Sequence, residues 1–185
     1  LTVRAHYQEA MQHAARGELI AARARCLRIL GTYPRHVGTY GVLGQIYLEL
    51  GEHEEAANLF RRVLSANPEH ALSYASLGLI YEERGLFDEA IWQLERALEL
   101  SPANGEIRRE LRRVHEQRSL ASPPSRIKMT RGGLARAYLR GRLYPKAIGE
   151  LRELVSQQPY RFDLRAALAE ALWHDGRHQD CEVVC

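Results

Sequence analysis

The sequence LGQIYLELGEHEEA, residues 43–56, returns as LGLIYEERGLFDEA at residues 77–90, 34 positions later. Eight of the fourteen positions are identical, including both glycines and the final alanine. The same spacing of 34 separates Gly17, Gly51 and Gly85, and it also separates Pro34, Pro68 and Pro102. Two independent markers thus agree on one period, which is typical of a protein built from stacked copies of one supersecondary unit.

Each copy is predicted to be a pair of amphipathic helices. In the third copy, apolar or small residues recur at helical spacing on both sides of Gly85. The first stripe is Tyr74, Leu77, Gly78 and Tyr81, and the second is Ala90, Leu94, Ala97 and Leu98. Gly85 is expected to end the first helix in the left-handed conformation. Because Gly78 and Ala90 are small, the two helix backbones are expected to approach closely where they cross.

These residues resemble the signature of the tetratricopeptide repeat family, Trp-x2-Leu-Gly-x2-Tyr, then Ala-x3-Phe, then Pro. The second copy carries it as Leu43, Gly44, Tyr47, Ala56, Phe60 and Pro68, with Tyr40 in the place of the Trp. The resemblance implies an all-α fold, a right-handed superhelical solenoid of antiparallel helix pairs. It also implies that partners bind on a concave face built from the first helix of each pair.

The period predicts three complete repeats, at 3–36, 37–70 and 71–104, of which the first is degenerate. Pro159 then lies 57 residues after Pro102, where two periods would require 68, so the register slips between them.

Residues 105–127 lie where the repeat register changes. Residues 105–119 have helical composition with Glu and Arg at salt-bridge spacing, and Pro123 and Pro124 must break that helix. We interpret 105–127 as an extra capping helix followed by a proline-containing linker. A fourth repeat is predicted at 128–161 and a truncated fifth at 162–185, whose open end predicts a surface for self-association.

The composition favours a cytoplasmic, non-membrane protein. No apolar run approaches the length that a membrane span requires, and three scattered cysteines do not form a disulfide framework. The net charge of +3 is mild, so nucleic acid is not an expected partner.

No phosphate loop, dinucleotide fingerprint, zincin motif or nucleophile elbow occurs, so no enzymatic activity and no cofactor are expected. One cluster has the composition of a metal site: His174, His178, Cys181 and Cys185. In the repeat register, however, the two cysteines take the packing places of Ala90 and Leu94. A buried cysteine behaves as a small hydrophobe, so no metal is expected.

The groove side of the first helices is expected one position after each packing stripe. The candidate partner-binding residues chosen this way are Tyr7, Met11, Gln45, Leu48, Ala75, Leu79 and Glu82, continuing as Arg109, Arg113 and Arg136. In the family, chaperone-tail receptors hold a carboxylate with Lys, Asn and Arg. The matching positions here are Tyr7, Met11, Val42, Leu72 and Ser76, so that clamp is absent.

The leading hypothesis is therefore a non-enzymatic scaffold that binds a peptide or helix of another protein in its concave groove. Nucleic-acid or acidic-partner binding through the Arg-rich helix 105–119 is one alternative, although Glu106 and Glu110 neutralise part of that charge. A regulatory arm of a larger enzyme or transcription regulator is the other.

Overall fold

The computed structural model describes residues 2–119 and 127–184, and within those ranges all regular structure is helical. The helices are α1 (Val3–Ala15), α2 (Leu19–Thr32), α3 (Val37–Glu49), α4 (His53–Ala66), α5 (Ala71–Glu83), α6 (Phe87–Leu100), α7 (Gly105–Arg118), α8 (Arg131–Arg140), α9 (Tyr144–Gln157), α10 (Phe162–His174) and α11 (His178–Val184). The prediction of an all-α fold of helix pairs is confirmed, with α7 as the extra helix. The predicted linker prolines lie outside the described residues. None of the described helices is both long enough and apolar enough to span a bilayer.

The chain divides into two compact units, Leu1–Gln93 and Leu94–Cys185, and the boundary falls inside α6. In the first unit α1 packs on α2 and α3 packs on α4, while in the second α8 packs on α9 and α10 packs on α11. These four pairs are each adjacent in sequence, as expected of helical hairpins, and weaker contacts join α1 to α3, α3 to α5 and α8 to α10.

The core of the first unit depends on a close approach between α3 and α4. A Cβ atom on Gly44 would lie 2.8 Å from Cε1 of Phe60, so only glycine fits against the fully buried Phe60 ring. Phe60 packs with Ala56, Ala57, Leu77 and Ile80 in one buried cluster. The small-residue crossing predicted from the repeat is therefore present in the second copy.

The turns that follow the first helices share one backbone motif. Gly17, Gly51, Gly85 and Gly176 all have φ between 72° and 78°. At Gly51 the amide donates to Leu48 O at 3.1 Å, and the next amide donates to Tyr47 O at 2.8 Å. Such paired bonds satisfy carbonyls that the helix end would leave without a partner. The left-handed conformation predicted for Gly85 is confirmed.

The turn between α8 and α9 has the same bonds without the glycine. Arg142 N donates to Leu139 O at 2.9 Å and Leu143 N donates to Tyr138 O at 2.9 Å, while Arg142 has a φ of 57°. A side chain at this φ brings Cβ close to the following carbonyl, which costs about 1–2 kcal/mol. The glycine of this turn, Gly141, lies one position too early to relieve the strain.

We expect Arg142→Gly to raise the free energy of unfolding by about 1 kcal/mol, because glycine adopts positive φ without a steric cost. Urea denaturation followed by circular dichroism measures the change. Arg140→Gly is the matched control: Arg140 lies in the last turn of α8, where glycine should instead lower stability by up to about 1 kcal/mol. A destabilised Arg142→Gly protein would contradict the assignment of strain.

We expect Gly44→Ala to lower the free energy of unfolding by about 1–3 kcal/mol, because the added methyl group overlaps the Phe60 ring. Gly41→Ala is the control on the same helix, since no atom lies within 4 Å of the position its Cβ would take. That change should stabilise the protein by about 0.5–1 kcal/mol through helix propensity. Equal effects of the two substitutions in thermal denaturation would show that the α3–α4 approach is looser than described.

The second unit contains a buried ion cluster, formed by Glu99 on α6, Arg136 on α8, and Arg161 and Asp163 at the start of α10. Arg161 contacts Glu99 at 2.8 Å and donates two hydrogen bonds to the Asp163 carboxylate. Arg136 Nη2 donates to Asp163 Oδ2 at 3.2 Å and to its carbonyl oxygen at 3.0 Å. Arg96 contacts Glu99 from the same helix at 2.9 Å. The cluster ties the C-terminal half of α6 to the second unit, whereas the sequence period predicts a boundary after residue 104.

The cluster keeps its groups ionised although they are buried. Burial alone would raise the pKa of Asp163, but the hydrogen bond and charge of Arg161 and the charge of Arg136 outweigh burial and hold the pKa below its ordinary value. Burial likewise opposes the charge of Arg161, yet its partners Asp163 and Glu99 raise the pKa of the guanidinium. A carboxyl group with a lowered folded-state pKa stabilises the fold above its ordinary pKa, and that contribution is lost as the pH falls through the folded-state value.

We expect Arg161→Met to lower the free energy of unfolding by about 3–5 kcal/mol, because two buried carboxylates lose their main partner. The loss should be largest near neutral pH and should shrink in acid below about pH 4, where protonation removes the buried charges. Arg152→Met, which breaks an exposed pair with Asp180, should cost at most about 1 kcal/mol. Urea denaturation at neutral and acid pH separates the two variants, and equal losses would contradict a structural role for the cluster.

Candidate functional site

A groove of about 660 Å³ lies in the first unit. Its walls come from α1, α3 and the start of α5, and its floor includes side chains of α4. The lining residues are Tyr7, Met11, Ala14, Ala15, Val37, Gly38, Gly41, Val42, Gln45, Ile46, Glu49, Phe60, Val63, Asn67, His70 and Leu72. Most are apolar or small, and Met11 and Leu72 are 46% and 55% exposed.

Glycines on α3 shape this groove. Gly41 leaves open space, since nothing lies within 4 Å of where its Cβ would be. Gly38 lies against Tyr7, whose hydroxyl would be 3.3 Å from an added Cβ. The Tyr7 ring also meets the His36 ring edge-on, with centroids 5.2 Å apart. The groove is therefore wide at Gly41 and closed at one side by an aromatic pair.

The groove carries no cationic side chain among its described lining residues, and Glu49 is its one carboxylate. His70 caps α5, because its Nδ1 accepts the Ser73 amide at 3.2 Å. Burial lowers the pKa of His70, which favours the neutral ring that this acceptor role requires. Burial, with a smaller contribution from Cys26, raises the pKa of Tyr7, so its hydroxyl stays protonated. The groove thus offers apolar surface and neutral polar groups.

Three of the candidate residues meet in this groove, namely Tyr7, Met11 and Gln45. Gln45 Nε2 also donates to Ser76 Oγ at 2.6 Å, which joins α3 to α5. The other candidates of the first unit do not line the groove. Leu48 packs against the buried cluster around Phe60, Ala75 and Leu79 are half-buried on α5, and Glu82 is only 8% exposed.

The remaining candidates lie in the second unit. Arg109 and Arg113 are exposed on α7, and each pairs with a glutamate one turn earlier, Glu106 at 3.9 Å and Glu110. Arg136 is 6% exposed and belongs to the ion cluster. Its position one place after the packing stripe suggested the groove surface, but the α10 carboxylate of Asp163 draws its side chain inward.

Most of the lining was missed by the candidate list, and four of the missed residues, Phe60, Val63, Asn67 and His70, lie outside the first helices altogether. They belong to α4 and to the segment after it, which the register assigned to the outer layer. Phe60 reaches the groove because Gly44 leaves room for its ring. The pair of glycines three residues apart on α3, Gly41 and Gly44, was the signal in the sequence that could have indicated this.

The histidine and cysteine side chains near the C-terminal end make other contacts. The His174 ring stacks on Tyr144 at 5.4 Å, and the His178 ring lies 4.5 Å from that of Trp173. Cys181 Sγ donates to Ala169 O at 3.4 Å, and Cys185 lies outside the described residues. In residues 2–119 and 127–184, no three His, Cys, Asp or Glu side chains are grouped so that they could hold a metal ion.

A family model of the tetratricopeptide repeat matches residues 42–105 and 133–180, more than half of the chain. The chain belongs to the tetratricopeptide repeat family. The first match covers the C-terminal part of α3 and all of α4–α6, and the second covers most of α8, all of α9 and α10 and the start of α11. Membership supports a role as a scaffold for protein–protein interaction. No curated protein matches the chain.

Solved tetratricopeptide structures resemble this protein. A point mutant of MamA is 27% identical, covers 64% of this chain and 65% of its own, and superposes with a TM-score of 0.55. A mutant O-GlcNAc transferase from Thermobaculum terrenum is 26% identical over 65% of this chain and 23% of its own, with a TM-score of 0.61. The first TPR of Spaghetti (RPAP3), bound to an HSP90 peptide, is 21% identical over 65% of this chain and 94% of its own, with a TM-score of 0.59. The chain therefore spans less than two thirds of the MamA mutant and about a quarter of the transferase.

Proposed function

We propose that this protein is a non-enzymatic scaffold that holds an apolar, uncharged or basic segment of a partner protein in the groove of the first unit. The observation that carries the proposal is the groove itself, about 660 Å³ in volume, walled by α1 and α3 and open at Gly41. Its size lies within the range of clefts that bind ligands.

The chemistry of the groove selects the kind of segment. Met11 and Leu72 offer exposed apolar surface that gains free energy when a partner covers it. Gln45 and Asn67 provide amide groups for hydrogen bonds to a peptide backbone. Glu49 is the one charged side chain among the described lining residues. An acidic tail would therefore find no cation to pair with and would be repelled. An amphipathic helix or an extended apolar segment fits these features.

The family supports a protein partner rather than a small substrate. The structure of the first TPR of Spaghetti (RPAP3) contains a bound peptide of HSP90. This chain lacks the cationic clamp that its relatives use for chaperone tails, since Tyr7, Met11, Val42, Leu72 and Ser76 stand at the matching positions. The proposed ligand is therefore a different class of segment. Self-association through the C-terminal hairpin stays a prediction, and Val183 on α11 is 87% exposed.

Leu72→Arg tests the groove. The change places a cation among the apolar lining residues, and we expect it to weaken partner binding by about tenfold or more, since burying an unpaired charge costs more than about 1.4 kcal/mol. The measurement is affinity capture from the source organism's lysate, washed at low and at high salt, with quantification of the retained proteins by mass spectrometry. Partners held by an apolar groove should survive the high-salt wash.

Ile20→Arg is the matched control. Ile20 lies on α2, is 62% exposed and does not line the groove, whereas Leu72 is 55% exposed. Both variants add the same charge to a solvent-exposed site, so both should fold and should differ only in binding. Loss of the same partners from both variants, or from neither, would contradict the assignment of the groove.

A further inference from the structure

A second cavity, of about 360 Å³, lies within the second unit. Its walls are the C-terminal half of α6, one face of α7, residues 127–130 and the first helix of the following hairpin, α8. The apolar lining consists of Leu98, Pro102, Leu111, Ile127, Met129 and Gly133. Leu111 is fully buried, while Met129 is 67% exposed at the mouth. The cavity is large enough for one or two apolar side chains.

Four cations surround the apolar lining: Arg108, Arg112, Lys128 and Arg140. Arg108 donates to the Pro102 carbonyl. Arg112, Lys128 and Arg140 make no ion pair with any residue in the described ranges 2–119 and 127–184. On α7, the exposed arginines Arg109 and Arg113 do pair with glutamates. Within the described residues, the cavity lining therefore holds three cations without an ion pair, Arg112 on α7, Arg140 on α8 and Lys128 in the segment before α8.

The two carboxylates of the lining do not neutralise these cations. Glu99 is fully engaged inside the ion cluster, where it accepts from Thr130 and contacts Arg96 and Arg161. Glu95 contacts Arg96 at 3.3 Å. Both acids thus face arginines that lie outside the cavity lining, and the mouth keeps a positive charge.

From this combination we infer that the cavity is a second binding site, which takes an acidic peptide segment of a partner protein with a bulky apolar side chain as its anchor. The apolar side chain fills the space between Leu98, Leu111 and Met129. Carboxylates on either side of it pair with Arg112, Lys128 and Arg140. The site is separate from the groove of the first unit and has the opposite charge preference.

The lining also argues against nucleic acid. Proteins that hold single strands combine cations with aromatic side chains on which bases stack. No Phe, Tyr, Trp or His is among the described residues that line this cavity. Its walls are aliphatic, which suits an aliphatic or aromatic side chain of a peptide rather than the face of a base.

Selection of a random-peptide phage library on the whole protein tests this inference. We expect enrichment of peptides in which Phe, Leu or Trp is flanked by Asp and Glu. Synthetic fluorescein-labelled copies are then measured by fluorescence polarisation. Arg112→Glu combined with Arg140→Glu should weaken their binding by at least about tenfold, and Met129→Asp should do the same because it removes apolar surface and adds a repelling charge.

The control combines Arg28→Glu with Arg35→Glu, which changes the net charge equally at two exposed positions of the first unit that line neither cavity. It should retain binding within about twofold. Circular dichroism confirms that each variant is folded, and Met129 is exposed enough for its replacement to leave the fold intact.

Three results would overturn the inference: no acidic peptide enriched, equal loss in the control, or binding indifferent to Met129→Asp. A fluorescent single-stranded oligonucleotide serves as the second probe. Tight oligonucleotide binding that depends on Arg112 and Arg140 but not on Met129 would assign the surface to nucleic acid instead. Apolar peptides that depend only on Leu72 report on the groove of the first unit, so failure of one site is distinguishable from failure of the other.

Discussion

The structure depends on two positions at which a glycine lets a buried side chain lie directly against a helix backbone. On α3, the backbone of Gly44 takes the ring of Phe60, which would lie 2.8 Å from any Cβ. On α8, Gly132 takes the carboxylate of Glu99, whose oxygens would lie 2.7 Å from a Cβ. At Gly44 a larger residue would push α3 and α4 apart, whereas at Gly132 it would displace the Glu99 carboxylate from its buried ion pairs. Phe60 lines the groove of the first unit and Glu99 lines the cavity of the second, so both surfaces proposed for binding include a group that rests on a glycine.

The contacts at Gly44 and at Gly132 have opposite chemical consequences. In the first unit the inserted group is an apolar ring, and the groove above it remains apolar and free of cations among its described lining residues. In the second unit the inserted group is a carboxylate, which is stable in the interior only because Arg96 and Arg161 surround it. Engaging Glu99 internally leaves the cations of the neighbouring cavity without an acidic partner. Glycine contacts of the same kind thus lie beside an apolar groove in the first unit and a positively charged cavity in the second.

If both proposed sites bind, the scaffold recognises a partner through two segments of different chemistry. An apolar segment in the groove contributes mainly through burial, which salt affects little, whereas an acidic segment contributes through charge and is screened by salt. A partner that engaged both proposed sites at once would gain apparent affinity without any new contact. The extra helix α7 is central to this arrangement, since its Arg108, Leu111 and Arg112 line the second cavity.

The sequence by itself determined the fold, because a period of 34 residues repeats in glycines, prolines and packing stripes that each have a local cause. It also determined three residues of the groove, Tyr7, Met11 and Gln45, since helical spacing decides which residues share a face. Only the tertiary structure decided that Arg136 and Glu82 are buried. Helical spacing placed both residues on a surface. The tertiary structure also decided which arginines pair with a carboxylate within the described residues. Those outcomes depend on contacts between residues far apart in the chain, such as Arg161 with Glu99 across 62 positions, and a local pattern carries no information about such contacts.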